Sequence, residues 1–550
     1  MKQSGKLARK SVQRANGLMA RGRPDQALQV FEQARRTAPG VFEVHFGLAR
    51  ARQALGDAAG AVDAFTTALD HAPDGDPRTL LALGQLARDL KASEQAVGFF
   101  RAAALATPGS VDAQTGLAHA MRDLGRQEDA VELLQSALQL SPEEDALWTA
   151  LGVVMADLED HANAETFLRE ALRLNPRNGA AAGNLAEVLF AMARPDAASQ
   201  AYAQALKLRP DDAALRFNHA LFALGTGDLA HGWRDYEARL DRAFPGYVRR
   251  DLKLKRWDGR EMPAGRLLVV AEQGVGDELH FLHCIDDARA RVAELWWECD
   301  PRLLDLCQRS FPGVNFVPWQ ASDVPGFHRG YAWLKEAPKF DAMIEAGSLQ
   351  TLFRRDPLRF PAHPPRLKPA VNVEPSARLR IGISWTSIHR NRLRDRGYVP
   401  LDQWGDVLTI PDVEWVNLQY GAVEQELAAA ERQFDVRVHR ESGLDLKDDF
   451  DGTAALIAGL DLVIAPTNTV RQLAGSIGVP SLVLSRLPYE FALGQAENPF
   501  FPHMRDIVRL PDGNWQRVMA TVAAEVTALR SRRGDQGRAS VAGGRASRSA

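Results

Sequence analysis

Small and apolar residues recur at fixed spacing through the first 240 residues of this 550-residue chain. A proline returns every 34 residues, with a single step of 35. An alanine stands five and again twelve positions before each proline, and a large side chain such as Phe31 or Tyr202 stands eight before it. Small residues let two helices approach closely, the large one fills the gap, and proline ends the second helix. The prolines of this pattern are Pro39, Pro73, Pro108, Pro142, Pro176 and Pro210.

This period and these residues resemble the tetratricopeptide repeat, a helix–turn–helix unit. The resemblance predicts an α-solenoid over 8–243, in which six clear units are followed by an altered seventh, 227–240, that closes the array. Stacked repeats form a concave groove, and such arrays bind protein. Asn184 and Asn218 stand at the sixth position of successive units, where a carboxamide both donates to and accepts from an extended peptide. We expect both to bind peptide; the alternative is that both are solvated on a helix surface.

From about residue 264 the pattern changes to apolar strands that alternate with helices, as in RLLVVAE, ELWWECD, RIGISW and DLVIAP. Such alternation predicts parallel sheets. A proline-rich stretch divides it, so we expect a first α/β lobe at 264–362, a linker at 363–378 and a second lobe at 379–530. The Gly-, Ser-, Ala- and Arg-rich tail, 531–550, is expected to be disordered. Ligands of such lobes bind at the carboxyl ends of the strands, so the cleft between the lobes is the expected active site.

Composition narrows the classes of function. The net charge of −3 lacks the basic surplus that general nucleic-acid binding requires. No apolar run reaches the roughly 18 to 20 residues of a membrane span, and the N-terminus lacks the apolar segment of a secretory signal. The three cysteines, Cys284, Cys299 and Cys307, lack metal-site spacing and are typical of apolar packing in a reducing compartment. We therefore expect a cytoplasmic protein with no nucleic-acid partner and no membrane span.

The turn after the first strand of the first lobe is a candidate site loop. Its two glycines permit a tight turn and close approach to a ligand, but the third glycine of a dinucleotide fingerprint and the Lys-Ser/Thr of a phosphate loop are missing. Asp277 then begins a helix that faces the expected cleft. It is either a general base that takes a proton from an acceptor hydroxyl or the N-cap of that helix. The loop comprises Glu272, Gln273, Gly274, Gly276 and Asp277.

Three segments of the second lobe are candidates for binding a phosphorylated donor. Hydroxyls and arginines follow the strand RIGISW and suit a phosphate leaving group, although a solvated basic loop is the alternative. Hydroxyls also precede the helix that follows DLVIAP, and a helix N-terminus is an anion site. The segment NLQYG ends a further strand at the same rim, where it is placed to contact a base or sugar. The candidates are Ser384, Thr386, His389, Arg390, Asn391, Arg392, Gln419, Tyr420, Pro466, Thr467, Asn468 and Thr469.

Asp449-Phe450-Asp451 matches a D-x-D metal-binding motif. Here it precedes a helical pattern, TAALIAGL, which favours a helix cap over a metal site. We expect no metal, because arginines and helix dipoles can stabilise a departing phosphate instead.

Together, EQGVGDELHF, ISWTSIHRNRLRDRGY, NLQYG and DLVIAPTNTVRQLAGSIGVP resemble the GT-B catalytic module, two Rossmann-like lobes, joined to tetratricopeptide repeats. The arrangement is similar to bacterial relatives of O-GlcNAc transferase and to the flagellin-modifying glycosyltransferases of alphaproteobacteria. It also resembles the heptosyltransferases, whose Gly-Asp after the first strand matches Gly276-Asp277. The resemblance implies a metal-independent glycosyltransferase without a cofactor, with Asp277 as base and a nucleotide-sugar as substrate. The resemblance to the flagellin-modifying enzymes, taken in its most specific form, implies transfer of a nonulosonic acid from a CMP donor to flagellin.

The donor-site helix departs from the pattern of these families. Related modules often carry Asp-Thr at its start and a histidine later, whereas Thr467-Asn468 and Gln472 stand at those positions here. A changed donor preference or a loss of activity is therefore consistent with the sequence. The alternative function is a non-catalytic repeat scaffold whose GT-B-like lobes bind or sense a nucleotide.

Overall fold

The fold is described from a computed structural model. The structure describes residues 2–546 apart from 74, 243, 245, 273, 323–327, 362, 363, 365, 371–375, 377, 388–394, 396, 487–491, 496 and 510–513. These residues form two compact units. The first comprises Met1–Leu215, Val248–Asp251 and Ala321–Gly330, and the second comprises Arg216–Tyr247, Leu252–Gln320 and Tyr331–Ala550.

The first unit contains the helix pairs that the repeat pattern predicts, although its first helix begins at Lys2 rather than at residue 8. Asp57, Ser110 and Asn178 accept backbone N–H bonds at the starts of three of the helices. The helices are α1 (Lys2–Ala20), α2 (Pro24–Thr37), α3 (Phe42–Ala54), α4 (Ala58–Leu69), α5 (Pro77–Asp89), α6 (Ser93–Ala106), α7 (Val111–Asp123), α8 (Gln127–Leu140), α9 (Asp145–Asp157), α10 (His161–Leu174), α11 (Gly179–Ala191) and α12 (Pro195–Leu208).

Each consensus proline follows the second helix of its pair, as expected. The consensus small residues lie against large side chains: a Cβ added at Gly84 would lie 2.9 Å from the Phe100 ring, and one at Gly152 would lie 2.7 Å from Leu168 Cγ. Phe31, Phe65 and Leu134 are buried in one continuous apolar core. The 34-residue pattern therefore exists because close helix approach leaves room for nothing larger at these positions.

The predicted seventh repeat lies within the second compact unit. Helix α13 (Ala213–Gly225) enters this unit at Arg216, and α14 (Leu229–Tyr236) continues into a 3-10 turn, Glu237–Leu240. Trp233 is fully buried, and its indole N–H donates to the Arg354 carbonyl at 3.0 Å. The altered residues of this repeat are thus explained by packing against the α/β core.

The strands, in chain order, are β1 (Arg249–Arg250), β2 (Met262–Val270), β3 (Val292–Cys299), β4 (Asn315–Pro318), β5 (Gln320–Ala321), β6 (His328–Gly330), β7 (Ala342–Glu345), β8 (Leu379–Ile383), β9 (Val413–Asn417), β10 (Val438–His439), β11 (Leu462–Pro466), β12 (Ser481–Ser485) and β13 (Met504–Val508). Within the first unit β1 pairs in parallel with β6. The second unit has two larger parallel sheets. The first sheet has the strand order β4-β3-β2-β7, and the second sheet has the order β10-β9-β8-β11-β12-β13. Two parallel α/β sheets are thus present after the repeats, as predicted.

Helices connect the strands of these sheets. They are α15 (Val275–Phe281), α16 (Ile285–Arg289), α17 (Leu304–Ser310), α18 (Ser348–Phe353), α19 (Gly405–Leu408), α20 (Glu424–Phe434), α21 (Phe450–Ala458), α22 (Thr469–Ile477) and α23 (Trp515–Ala546). Short 3-10 turns lie at Leu282–Cys284, Pro301–Leu303, Ala332–Lys335, Pro357–Arg359 and Leu401–Gln403. The three cysteines are buried and unpaired, as predicted for packing residues.

The last helix differs from the sequence prediction for the tail. It extends to Ala546, so its backbone is helical over most of 531–550, where composition predicts disorder. Residues 363, 365, 371–375 and 377 of the predicted linker lie outside the described residues.

Candidate functional site

The strand order of the second sheet identifies the edge at which a ligand would bind. Numbered along the chain, its strands lie in the order 3-2-1-4-5-6, which is the doubly wound order of dinucleotide-binding sheets. In such a sheet the crevice opens between the first and fourth strands, here β8 and β11, because their connections run in opposite directions. The segments 384–386 and 467–469, both predicted to bind the donor, leave these two strands at their carboxyl ends.

Side chains of the predicted donor site hold these two strand ends together. Asn468 donates its amide N–H to the Ser384 hydroxyl at 2.8 Å and to the Thr386 carbonyl at 3.0 Å. Gln419 Oε1 accepts three bonds: from the Ser384 hydroxyl at 2.8 Å, the Trp385 N–H at 3.0 Å and the Thr386 N–H at 2.9 Å. Ser384, Gln419 and Asn468 are all buried. The structure therefore brings these candidates together, and the Gln419 side chain is bonded within the crevice. Tyr420 beside it is half-buried.

The helix Thr469–Ile477 begins at this crevice. Asn468 is its N-cap, and its side-chain oxygen accepts the Arg471 N–H at 3.2 Å. Pro466 is the buried last residue of β11, and Thr467 is exposed. The Thr386 hydroxyl is buried and makes no hydrogen bond within the described part of the chain. A helix N-terminus with a buried hydroxyl next to it is suited to an anion such as a phosphate.

The loop after β2 meets this helix. A Cβ added at Gly276 would lie 3.6 Å from Gln472 Cγ and 3.8 Å from the Thr469 hydroxyl. Gly276 is the second residue of α15, so the loop predicted to serve the acceptor lies against the helix predicted to serve the donor. The second unit thus brings together two sets of predicted site residues that are nearly 200 positions apart in the sequence.

Asp277 lies in the first turn of α15, but it is not the N-cap that the sequence offered as an alternative role. The N-cap is Gly274, and Asp277 is the third residue of the helix. A Cβ added at Gly274 would lie 3.1 Å from Asp277 Oδ2, so the carboxylate turns back over this glycine. Asp277 is half-buried, and Gly274 and Gly276 leave space around it.

Glu272 of the same loop is buried in an ion pair that the sequence did not predict. Arg239 donates to its two carboxylate oxygens, from Nε and from Nη2, at 2.7 Å each, and the Gly347 N–H donates to it at 2.7 Å. Arg239 lies in the 3-10 turn that ends the seventh repeat. The altered residues of the seventh repeat were the sign in the sequence that this repeat makes an additional contact. They were attributed only to the closing of the repeat array.

Two buried histidines lie in and directly after α15. His280 is fully buried with its ring centroid 4.0 Å from that of Phe500, and its pKa lies well below the usual value because of burial, His283 and Arg471. Burial, with Arg354 and His503 nearby, lowers the pKa of His283 to about 3. Both are therefore neutral near pH 7 and pack as aromatic side chains. Arg471, in the first turn of the helix Thr469–Ile477, is 1% exposed.

The D-x-D segment is a helix cap, as predicted. Asp449 accepts the Gly452 N–H at 2.8 Å as N-cap of Phe450–Ala458, and Asp451 pairs with Arg309. Among the described residues no group of three or more His, Cys, Asp or Glu side chains is placed to hold a metal ion.

The remaining candidates lie on repeat helices or outside the described residues. Asn184 and Asn218 are the sixth residues of α11 and α13, and both are half-buried. Gln273 and the basic segment with His389, Arg390, Asn391 and Arg392 fall outside the described residues.

Comparison with known proteins identifies the repeats. Models described as tetratricopeptide repeat match residues 18–86 and 155–217, and a second such model matches 111–154. The chain therefore carries tetratricopeptide repeats, which are protein-binding modules. Within the described residues, no helix combines the length and apolar character needed to cross a membrane.

Among curated proteins, the chain is similar to Protein FlbA of Caulobacter vibrioides. The two are 33% identical over 333 residues, which are 58% of this chain and 55% of FlbA. The chain thus spans about half the length of this relative.

Solved structures of repeat proteins are also similar to part of the chain. A thermophilic tetratricopeptide-repeat protein of Thermus thermophilus is 26% identical, with 40% of this chain and 99% of that one covered and a TM-score of 0.25. Yeast Tom70 is 18% identical, with 43% and 50% covered and a TM-score of 0.36. PilF of Pseudomonas aeruginosa is 17% identical, with 38% and 94% covered and a TM-score of 0.30.

Proposed function

We propose that this tetratricopeptide-repeat protein is a glycosyltransferase of GT-B type that moves a sugar from a nucleotide-sugar to Ser or Thr of a protein held by its repeats. The observation that carries the proposal is the approach of Gly276 to Thr469. Group transfer needs two substrates side by side, and this contact joins the carboxyl-edge loop of one parallel sheet to that of the other. The repeats supply a surface for the protein substrate.

In the proposed reaction, the groups near this contact have separate roles. Asp277 takes the proton from the acceptor hydroxyl, the oxygen attacks the anomeric carbon of the sugar, and the bond from that carbon to the phosphate oxygen breaks. Negative charge then develops on the departing nucleotide. The N–H groups of the helix Thr469–Ile477 and the Thr386 hydroxyl stabilise that charge, so the step needs no metal. Arg390 and Arg392 are proposed to assist on the basis of the sequence.

The specific version of the proposal is transfer of a nonulosonic acid from a CMP donor to flagellin. It is supported by the family resemblance of the sequence segments at this site. Asn468 and Gln472, where related modules often carry threonine and histidine, leave the donor preference to experiment.

One observation favours the alternative function, a repeat scaffold with a nucleotide-binding module. The polar atoms of Ser384, Gln419 and Asn468 bond to one another and not toward open space. A site whose side chains serve the fold in this way can hold a nucleotide through backbone N–H groups without catalysing transfer.

Mass analysis of the acceptor separates the two functions. The intact masses of flagellin and of other glycoproteins would be measured by mass spectrometry. The proteins would come from cells that carry the wild-type chain, Asp277→Asn, Thr386→Val, or the control Asp406→Asn at an exposed position. We expect Asp277→Asn to slow transfer by about 10²- to 10⁴-fold without changing nucleotide affinity. Thr386→Val should weaken nucleotide binding, and Asp406→Asn should change neither property.

If the sugar mass is present with wild type and equally present with Asp277→Asn, Asp277 is not the base. If no acceptor changes mass when the whole chain is deleted but the purified chain binds a nucleotide, the scaffold function is correct.

A further inference from the structure

A buried ion pair connects the end of the seventh repeat to the loop that carries Asp277. The side chains of Arg239 and Glu272 are 6% and 9% exposed, and their two parallel N–H···O bonds are 2.7 Å each. This bidentate geometry fixes both the distance and the orientation of the two groups. Glu272 is two residues before Gly274, the N-cap of the helix that contains Asp277.

Further bonds hold each partner of this pair. Arg239 Nη2 donates to the Ser348 hydroxyl at 2.9 Å, and its Nη1 donates to the Tyr236 carbonyl at 3.0 Å. Arg256 Nη2 also donates to the Ser348 hydroxyl, at 2.8 Å. The Arg239 guanidinium lies 4.5 Å from the centre of the Tyr236 ring. Arg239 is therefore held by the repeat turn on one side and by the first sheet on the other.

The pair occupies the crevice of the first sheet. In the order β4-β3-β2-β7, this crevice lies between β2 and β7, whose carboxyl ends precede Glu272 and Gly347. A Cβ added at Gly347 would lie 2.7 Å from Glu272 Oε1 and 2.8 Å from Arg239 Nη2. Side chains of the protein thus fill the place where a doubly wound sheet usually holds a ligand.

The charges of the pair depend on each other. Burial opposes the charge of Arg239, but the attraction and hydrogen bonds of Glu272, together with Tyr236 and Glu237, raise the pKa of Arg239 above its ordinary value. Removing Arg239 leaves the Glu272 carboxylate buried and without this cation, which favours opening of the loop to water. Removing Glu272 leaves Arg239 with Glu237, at 3.1 Å, but breaks its link to the loop. Loss of the pair is therefore expected to act first on the loop.

We propose that Arg239 is a positioning residue, which holds the Asp277 loop in place through Glu272 and so makes the end of the repeat array part of the transfer site. The catalytic consequence rests on the proposed function. The structural part, that Arg239 orders the loop, stands independently of any activity.

Hydrogen exchange measured by mass spectrometry on the full chain tests the structural part. The variants are Arg239→Gln, Arg239→Lys, Glu272→Gln and the control Arg440→Gln. The control breaks a more exposed pair between Arg440, which follows β10, and Glu431 of the helix Glu424–Phe434. We expect peptides covering 274–282 to exchange about tenfold faster in Arg239→Gln and Glu272→Gln, with an intermediate rate in Arg239→Lys. Arg440→Gln should leave these peptides unchanged.

Transfer kinetics test the catalytic part. A misplaced loop should lower kcat by about 10- to 100-fold in Arg239→Gln with donor KM unchanged, and Arg239→Lys should recover part of the loss. If Arg239→Gln does not fold, exchange in Arg239→Lys decides, because lysine keeps the charge and loses the bidentate geometry.

Unchanged exchange at 274–282 in every foldable variant of the pair overturns the proposal. Faster exchange everywhere, with the same effect on donor KM as on kcat, also overturns it, because Arg239 is then a general stability residue. If the wild-type chain transfers no sugar but the loop peptides respond as expected, the proposed function fails and the positioning role remains.

Discussion

The Asn468 side chain donates an N–H to the Ser384 hydroxyl at 2.8 Å, which joins the ends of the two strands that flank the crevice of the second sheet. The same side chain also bonds the Thr386 carbonyl and caps the helix Thr469–Ile477. One residue therefore sets both the width of the crevice and the direction of the helix N-terminus beside it.

Substitutions of Asn468 should separate these two roles. Asn468→Ala removes the cap and the bridge, and we expect a loss of about 1–3 kcal/mol in the free energy of unfolding. Asn468→Asp keeps an oxygen for the Arg471 N–H but cannot donate to Ser384, so its helix should stay capped while nucleotide affinity falls. Chemical denaturation and nucleotide titration measure the two effects. Equal nucleotide affinity in wild type and Asn468→Asp would show that the bridge does not shape the site.

The approach of Gly276 to Thr469 can be tested by cross-linking. A Cβ at Gly276 would lie 3.8 Å from the Thr469 hydroxyl oxygen and 4.0 Å from Thr469 Cα, so the two side chains start close together. A disulfide spans roughly 3.5–4.5 Å between Cβ atoms. We expect Gly276→Cys/Thr469→Cys to form a disulfide under mild oxidation, seen as a loss of two hydrogens in the mass of a linked peptide pair. Each single variant is the control, because the three native cysteines are buried. Free thiols at both positions after oxidation would contradict the contact.

The packing of glycine in the repeats predicts opposite effects for two alanine substitutions. A Cβ at Gly152 would lie 2.7 Å from Leu168 Cγ, so Gly152→Ala should destabilise the repeats by about 1–3 kcal/mol. Gly98 is also helical, but it is exposed and nothing lies within 4 Å of an added Cβ. Gly98→Ala should therefore stabilise by about 0.5–1 kcal/mol through helix propensity. Denaturant midpoints check both, and effects of the same sign would contradict the close packing.

Acid should destabilise the second unit through its buried histidines. The pKa of His283 is about 3 in the folded chain, against about 6.5 when unfolded. Because the unfolded chain binds the proton more readily, stability is lost as the pH falls from 6.5 toward 3. The lowered pKa of this single group reduces the free energy of unfolding by roughly 1.5 kcal/mol as the pH falls from 6.5 to 5.

The matched test compares His283→Asn with His231→Asn, which removes an exposed histidine. The free energy of unfolding should depend less on pH in His283→Asn than in wild type over this interval, whatever the absolute stability of the variant. The same slope in His283→Asn and wild type would mean that His283 takes up its proton at about the same pH in the folded and the unfolded chain.

The sequence predicted the elements whose residues are fixed by short-range spacing. The repeat period follows from Gly152 and its equivalents, and the parallel strands follow from continuous apolar runs. It also placed Ser384 and Asn468 at one crevice, because the carboxyl ends of parallel strands share an edge. Gln419 Oε1 accepts two backbone N–H bonds after β8, and the sequence could not predict this, since a carboxamide that binds a base and one that holds a backbone look alike in sequence.

The sequence did not predict which residues far apart along the chain form pairs. Arg239 and Glu272 are 33 positions apart in two different kinds of structure, and each is an ordinary charged residue in its own segment. Their burial depends on Gly347, which is more than 70 residues further along the chain. The position of Asp277 as third helical residue, and not the cap, likewise depended on where the loop turns.

The burial of Trp233 in the α/β core has a consequence for how this architecture can vary. In the final helix pair, the apolar face that would otherwise accept another repeat packs against Arg354 and the first sheet. Whole units can be duplicated or lost upstream of Arg216 with the junction left intact, whereas an insertion after it would separate two surfaces that have become one core. Homologues of this chain should therefore differ in repeat number at the amino-terminal side and keep the spacing from Trp233 to the first strand of the sheet.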